Sequence, residues 1–562
     1  MNYSSKLNIN LLTAFLAAYG IEDAVVCPGS RNAPIVHNLN EHPAIRCHAV
    51  TDERSAGFYA LGIALKTGKP VAVCVTSGSA VLNLAPAVGE AKYRHVPLVV
   101  ISADRPGQWI GQLDGQTIDQ PNALRSLVRK VANLPEPHDE EEEWYCRRLI
   151  AEALHLATCH DCGPVHINVP ITEPLFEFTT EKLPEVKRIR TRQGNFPKSQ
   201  FLAEASVPLG RAKGNLEGLG PHLIVIGQTR PGTISLETLC ALTEHFVVFA
   251  EPLSVDAPVI HFDEAIRRIP KDDIDRYRPH HIIYVGDTIV SKVARKFLRA
   301  SHADVTMVTL DARDVADPLM GITDIVECQD GKDVDRFLLS LCDDPVSPLQ
   351  EEYISRWDAL FAAADERAET YCPVYSQMMA VKLFEQTIDS LTFPVHVHYA
   401  NSNAVRLGNI YANHYVWCNR GVNGIEGSLS AAAGFSLATD ESVAIIIGDL
   451  SFFYDQNALW NQELRGNLRI LLVNNSQGGI FRMLHGLDDS PAALPYISAE
   501  HHTTAEGICR QHRISYLTAH DSEELEAGIT MLLTCEADRP VLLEVFTDAN
   551  IDAQAYKDFF HF

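Results

Sequence analysis

Short apolar runs alternate with amphipathic stretches along the whole chain. In its first part the runs are Ala24–Cys27, Val71–Thr76, Leu98–Ser102 and Val165–Val169, with helical stretches near 8–19, 55–66, 80–92 and 141–158. Runs that are apolar at consecutive positions suit strands buried on both faces of a parallel sheet. Their alternation with helices predicts a doubly wound α/β layer. A second set of strands is predicted at Leu223–Ile226, Val247–Ala250, Ile282–Val285 and Val305–Leu310, and a third at Val443–Ile447, Ile470–Val473 and Val541–Phe546. At 562 residues the chain is too long for one core. The expected class is α/β, with three doubly wound parallel-sheet domains over 1–180, 200–345 and 365–562. The stretch 181–200, with Lys/Arg clustered from Lys187 to Lys198 around Gly194 and Pro197, reads as a linker, as does Asp343–Ser347 before Pro348.

Composition narrows the function classes. Hydrophobic residues make up 46% and charged residues 21%, ordinary for a soluble enzyme. A net charge of −25 excludes nucleic acid as a partner, because phosphate neutralisation needs a basic face. No apolar run approaches the ~18 residues of a membrane span, and Met1–Gly20 lacks a basic leader segment; a cytoplasmic location is expected. The 13 cysteines are scattered and odd in number, so no disulfide framework is expected. Cys159-His-Asp-Cys162 has metal-like spacing but no second pair at finger distance, and reads as a helix end before the next strand. Gly227-Gln-Thr-Arg-Pro-Gly232 is not a dinucleotide fingerprint.

Chemistry concentrates around the third set of strands. Val443–Ile447 runs into Gly448-Asp449, and Ile470–Val473 runs into Asn474-Asn475. A right-handed strand–helix–strand crossover brings the carboxyl ends of both strands to one sheet edge, so Asp449 and Asn475 should lie side by side. A carboxylate, an amide oxygen and a backbone carbonyl, with Gln477 the candidate, suit a hard cation such as Mg²⁺. An amphipathic helix opening near Ser451 would turn its N-terminus toward the same place and favour phosphate. The bland alternative is an ordinary βαβ unit in which Asp and Asn close turns. Elsewhere, Glu53 reads locally as a first-turn acid favoured by the helix dipole, and Ile425 as a core residue. Ser30-Arg31, Arg105, Ser402, Arg406 and Arg420 fall beside strand ends or turns. In so acidic a chain, four arginines at such mouths are better explained as a well for polycarboxylates, which guanidinium forks bind bidentately.

Gly448-Asp449-Leu450 followed by Asn474-Asn475 resembles the thiamine-diphosphate signature, with Leu450 where a third glycine is common. Three α/β domains in this order are similar to the decarboxylase branch of those enzymes, whose outer domains hold the pyrimidine and the diphosphate. Cys27-Pro-Gly-Ser-Arg-Asn, Ser102-Ala-Asp-Arg-Pro, Asn401-Ser-Asn-Ala-Val-Arg, Cys418-Asn-Arg-Gly, Gly163-Pro-Val-His-Ile-Asn-Val-Pro170 and Gly448-Asp-Leu-Ser451 closely resemble the 2-succinyl-5-enolpyruvyl-6-hydroxy-3-cyclohexene-1-carboxylate synthase (MenD) family of menaquinone biosynthesis.

That resemblance implies a transferase that decarboxylates 2-oxoglutarate. The succinyl-semialdehyde carbanion equivalent then adds in conjugate fashion to isochorismate, with thiamine diphosphate and Mg²⁺, or Mn²⁺ in its place. It also implies roles for residues. Glu53 would hydrogen-bond the aminopyrimidine, and Ile425 would prop the cofactor into its bent form. Ser402, Leu450, Ser451 and Ile480 would contact the cofactor, and Asp449, Asn475 and Gln477 the metal. Ser30, Arg31, Arg105, Gln116, Lys292, Arg406, Arg420 and Phe481 would contact substrate, with Ile480-Phe481 an apolar wall. Val293 and Gly115 depart from the family's usual residues at that rim. The Ala56, Gly57, Ala60 and Gly62 face of the Glu53 helix would allow the close packing of a subunit contact, in a homodimer or homotetramer with active sites at the subunit interface. The rival from the same class is an acetolactate synthase or simple 2-oxoacid decarboxylase. The rival from another class is a non-catalytic protein on the same fold, which could dispense with Glu53 and Asp449.

Overall fold

Apolar runs of the kind described above bury themselves in the centres of three sheets. The computed structural model describes residues 2–159, 161–189, 220–312, 316–483, 486–487 and 490–561. The first sheet places Arg46–Ala49, Asp23–Val26, Val71–Val75, Leu98–Asp104, Val165–Pro170 and Val131–Asn133 side by side in that order, all parallel. The second runs Ile322–Glu327, Asp304–Thr309, His281–Val285, His222–Ile226, Val247–Ala250. The third contains Val395–Tyr399, Ser442–Gly448, Leu468–Asn474, Val541–Phe546 and Ser515–Ala519 in that order. Three parallel-sheet α/β domains are therefore present.

The strands not expected from the sequence are Arg46–Ala49, Val131–Asn133, Ile322–Glu327, Val395–Tyr399 and Ser515–Ala519, all at or near sheet margins. Central strands such as Val71–Val75 and Leu98–Asp104 are buried throughout, whereas Ile322–Glu327 is largely exposed, Ser515–Ala519 is partly so, and both carry mixed polarity. A margin strand has one covered face or none, so it needs no apolar run. The expected helix over 80–92 is two helices, Ala80–Asn83 and Ala85–Tyr93, because Pro86 cannot donate to the preceding turn. Cys159 caps the helix Glu140–Thr158 and donates its N–H to the His155 carbonyl, the helix end its spacing suggested. Among the described residues no helix is long and apolar enough to cross a membrane.

The chain groups into two compact units. One comprises Met1–Arg190, Ser390–Ala404 and Cys418–Ala549, and carries the first and third sheets. The other comprises Thr191–Asp389, Val405–Trp417 and Asn550–Phe562, and carries the second sheet. In the second unit a Cβ on Gly227 would lie 2.0 Å from the Asp287 carbonyl oxygen, so that glycine serves close backbone packing. The expected linker at Asp343–Ser347 ends at once, because Ser347 caps and Pro348 opens the helix Pro348–Thr370. The linker expected at 181–200 lies largely outside the described residues.

Within the first unit, the helix Glu53–Thr67 crosses the helix Ser428–Leu437 at backbone distance. A Cβ on Gly62 would lie 1.9 Å from the Ala431 carbonyl oxygen, and one on Gly434 2.2 Å from that of Tyr59. The small-residue face expected at a subunit contact is thus used inside the chain. A buried histidine joins the same two layers. His48 Nε2 lies 2.9 Å from Asp23 Oδ1 and its Nδ1 2.8 Å from Glu463 Oε2. Burial alone would push this imidazole down, but the hydrogen bonds to the two carboxylates outweigh it and raise its pKa. Burial pushes Asp23 and Glu463 up, yet His48 and Arg46 hold both below their usual range.

The sign of the pH effect follows from these directions. The His48 contribution is complete below the unfolded value of about 6.5 and is lost as pH rises through the raised folded value. The carboxylate contribution is complete above about 4.5 and is lost as pH falls. Raising the pH from about 6.5 to 9 should therefore cost about 1 kcal/mol, small because the Glu463 side chain is 40% exposed. His48→Gln should flatten that part of the thermal-stability profile; a profile unchanged by the substitution would show that the histidine does not set it.

Candidate active site

Strand Ser442–Gly448 ends where Asp449 opens a helix, and strand Leu468–Asn474 ends one residue before Asn475. The register pairs Gly448 with Val473, which sets the two side chains at one sheet edge. Asp449 is only 4% exposed. Its Oδ1 accepts from the Leu450 N–H at 2.6 Å, and its Oδ2 from the N–H groups of Asn475 at 3.1 Å and Gln477 at 3.2 Å. His501 Nε2 lies 3.4 Å from the same Oδ2. The helix expected to open near Ser451 begins at Asp449 and is short. The helix is Asp449–Tyr454, six residues, followed by a 3₁₀ segment Gln456–Trp460. It ends at Asp455, whose buried carboxylate accepts from both the N–H and the hydroxyl of Ser430, each at 2.7 Å. So short a helix has little macrodipole, and specific donors must hold any anion at this edge.

Residues 418–427 have no regular structure, and side chains from elsewhere satisfy their backbone. Asn401 Nδ2 donates to the carbonyls of Asn419 at 2.6 Å and Gly424 at 2.8 Å. Arg420 Nη1 donates to Asn401 Oδ1 at 3.0 Å. Glu90 accepts from the N–H groups of Gly421 at 2.8 Å and Val422 at 2.7 Å. The Ser451 hydroxyl donates to the Ile425 carbonyl, joining this loop to the Asp449 helix. Ile425 itself is 41% exposed, unusual for a large aliphatic side chain in so constrained a loop. Sequence reasoning did not single out Asn401 or Glu90. The available signals were the polar run around Ser402 and a carboxylate in the otherwise small and apolar stretch Ala87–Ala91.

At the first sheet, Glu53 is the first residue of its helix and its Oε2 accepts from Asn83 Nδ2 at 3.1 Å. Asp52 caps that helix, accepting from the N–H groups of Arg54 at 2.9 Å and Ser55 at 3.3 Å, and also from Asn457 Nδ2 at 2.7 Å. Burial first, then the charge of Glu53, pushes the Cys27 thiol up, which sets Glu53 near the end of strand Asp23–Val26. Arg31 is buried, with Nη1 donating to the Ile171 carbonyl at 3.0 Å and Nη2 3.2 Å from Glu173. Arg105 Nε donates to the Gly115 carbonyl at 3.1 Å. A buried amide network lies behind them. Asn168 donates to Asp104 at 2.9 Å, Gln120 donates to Asn168 at 2.8 Å, and Gln120 accepts from the Gly78 N–H at 2.7 Å. A Cβ on Gly78 would lie 2.9 Å from the Cα of Gln116, so the network seats the Gln116 loop.

Residues 9–123 match the model for a thiamine pyrophosphate enzyme, N-terminal TPP binding domain, and residues 401–545 the model for its C-terminal TPP binding domain. The chain is 42% identical to the 2-succinyl-5-enolpyruvyl-6-hydroxy-3-cyclohexene-1-carboxylate synthase of Bacteroides thetaiotaomicron, over 100% of this chain and 99% of that one. It is 41% identical to the Bacteroides fragilis synthase over 100% and 99%, and 33% identical to that of Flavobacterium psychrophilum over 96% of both. The chain belongs to the MenD family. It is accordingly a thiamine-diphosphate-dependent synthase of the C–C bond-forming, transferase type.

The residues at the Asp449 edge fit such a cofactor. Asn403 Oδ1 is buried there with no hydrogen-bond partner among the described residues, and a Cβ on Gly479 would lie 2.6 Å from Asn475 Nδ2 and 3.5 Å from Asn403 Nδ2. Backbone close to two amides, with no side chain between, makes a cradle for polar oxygens. Ser402, Gln116 and Ser476 have φ of 79°, 58° and 62°, strained values for residues with a Cβ and frequent where a site dictates the backbone. Phe481 and Leu450 flank Gly478, whose Cβ would lie 2.9 Å from the Phe481 ring and 3.4 Å from Leu450 Cδ1, with the half-buried Ile480 beside them. Among the MenD-type candidates, Arg31 lies close enough to Asp104 to pull on its carboxyl, whereas the Arg105 guanidinium turns to the Gly115 carbonyl and to Asp114. Arg420 is instead held by Asn401, on the loop whose Ile425 carbonyl accepts from Ser451. Ser30 and Gln116 are exposed. Lys292, exposed at its helix start, and Arg406, whose charge acts on the half-buried Tyr556, belong to the second unit.

Proposed function

We propose that the chain decarboxylates 2-oxoglutarate and adds the succinyl-semialdehyde carbanion equivalent by conjugate addition to isochorismate, in menaquinone biosynthesis. The supporting observation is the hydrogen bond from Ser451 to the Ile425 carbonyl. It ties the fixed Asp449 carboxylate to the loop that carries Arg420 and Ile425, and so couples a metal-diphosphate end to a carboxylate-binding end. Thiamine diphosphate, when bound, would supply a nucleophilic thiazolium carbon for the keto group and a cationic ring that delocalises the electron pair released with CO₂.

In this reading Asp449, the Asn475 amide and the Gln477 carbonyl hold Mg²⁺ or Mn²⁺, a hard-oxygen set. Glu53 holds a proton at the pyrimidine nitrogen, Ile425 and Ile480 exclude water, and Arg105 and Arg420 orient substrate carboxylates. The segment 1–180 takes the pyrimidine, 365–562 the diphosphate, and 200–345 carries no cofactor. The enzyme works in the cytoplasm as a homodimer or homotetramer.

A second reading, an acetolactate synthase or simple decarboxylase, gains from Arg31, whose guanidinium is already engaged by Ile171 and Glu173. Product analysis separates the two. With 2-oxoglutarate and both cofactors, adding isochorismate should accelerate CO₂ release and divert succinic semialdehyde into a C–C coupled product. CO₂ release from pyruvate at an equal rate, or indifference to isochorismate, would overturn the proposal.

A further inference from the structure

We infer that Glu90 is a positioning residue that sets the Arg420–Ile425 loop, an inference that rests on the function proposed above for that loop. Glu90 lies in the helix Ala85–Tyr93 among buried Ala87, Val88, Gly89 and Ala91, and is itself only 3% exposed. Packing alone would be met by an apolar residue, and an isolated carboxylate in such surroundings is costly. Burial indeed pushes the Glu90 carboxyl up, against the pull of Arg94 and of its two backbone donors.

The geometry gives that carboxylate a task. Its two oxygens take the adjacent N–H groups of Gly421 and Val422 at 2.8 and 2.7 Å, one oxygen to each. One turn later, Arg94 Nη1 donates to the Cys418 carbonyl at 2.5 Å. Asn401 holds the carbonyls of Asn419 and Gly424 from elsewhere in the same unit. Glu90 thus fixes the loop's donors while Asn401 and Arg94 fix its acceptors. The fixed pair 421–422 lies between the two side chains that act, Arg420 immediately before it and Ile425 shortly after. The fit leaves no slack: a Cβ on Gly421 would lie 2.9 Å from the Glu90 carbonyl oxygen and 3.1 Å from its Oε2.

Glu90→Gln keeps the shape, retains one acceptor and turns an NH₂ toward the second N–H. In the holoenzyme, hydrogen exchange at Gly421 and Val422 should quicken about tenfold while the helix Ser428–Leu437 stays protected. The kcat/KM for 2-oxoglutarate should fall about tenfold, with the thiamine diphosphate affinity within about threefold of wild type. Gly421→Ala, which pushes the same contact from the loop side, should reproduce the kinetic loss. The double variant should be little worse than either single one, because both break one clamp. Unchanged exchange at Gly421 and Val422 would overturn the proposal, as would faster exchange with unchanged kinetics, or additive losses in the double variant. Should Glu90→Gln fail to fold, Gly421→Ala carries the same two readouts. Wild-type enzyme that does not turn over 2-oxoglutarate would refute the proposed function, while the exchange arm would still decide whether Glu90 holds the loop.

Discussion

Asp449→Asn should weaken Mg²⁺-dependent thiamine diphosphate binding by at least about a hundredfold, because substitutions of mere partners of metal ligands already cost 10–100-fold. Asparagine is the cleaner replacement. The Asp449 carboxylate accepts from three backbone N–H groups and is nearly inaccessible. Alanine would leave those donors buried and unpaired, at about 1–3 kcal/mol each, and so mix loss of metal with loss of the local fold. Asparagine retains one acceptor oxygen and removes the charge that draws the cation. Titration calorimetry with Mg²⁺ and thiamine diphosphate is the measurement, with circular dichroism to verify the fold. Wild-type affinity in this variant would take Asp449 out of the metal site.

Glu53→Gln should bind the cofactor with little change and slow exchange of the bound thiazolium C2 proton by about 10²–10⁴-fold, the range of a lost acid–base group. The amide cannot share a proton with the pyrimidine nitrogen. Its neighbour provides the control. The Asp52 carboxylate is committed to Arg54, Ser55 and Asn457, so Asp52→Asn should lower stability by about 1 kcal/mol through a weakened cap and leave the exchange rate alone. If Asp52→Asn slows C2 exchange and Glu53→Gln does not, the roles are reversed. The two arms are read by quenching in acid deuterium solutions and following the C2 signal by NMR.

Both predictions concern residues legible in the sequence, because their placement follows from local chemistry. Consecutive apolar residues demand a strand buried on both faces, and strands joined through helices demand a parallel sheet. Once Val443–Ile447 and Ile470–Val473 are such strands, parallel register alone brings Asp449 and Asn475 to one edge. Glu53 stands at a helix start because Asp52 is a good N-cap. Three α/β layers, an edge that sets a carboxylate beside an amide, and an acid opening a helix therefore follow from nearest neighbours and periodicity.

Tertiary structure decided what depends on distant partners. The crossover helix stops after six residues at Asp455, which meets Ser430, a contact no local pattern marks. Arg31 and Arg105 carry the same side chain, yet Arg31 is taken by Ile171 and Glu173, brought to it by the return of a strand from another part of the chain, and Arg105 by the nearby Gly115 and Asp114. Glu90 and Gly421 are 331 positions apart. The margin strands were missed for the complementary reason: they are formed by a neighbour's free hydrogen-bonding edge and not by an apolar run of their own. Burial of apolar side chains is non-directional and is written in the local pattern of hydrophobic residues. A polar group's hydrogen bonds are directional and depend on which partner the finished fold sets at about 3 Å. The sequence by itself thus determined the layers and the sheet edge that sets Asp449 beside Asn475, and only the tertiary structure decided which partners the charged side chains meet.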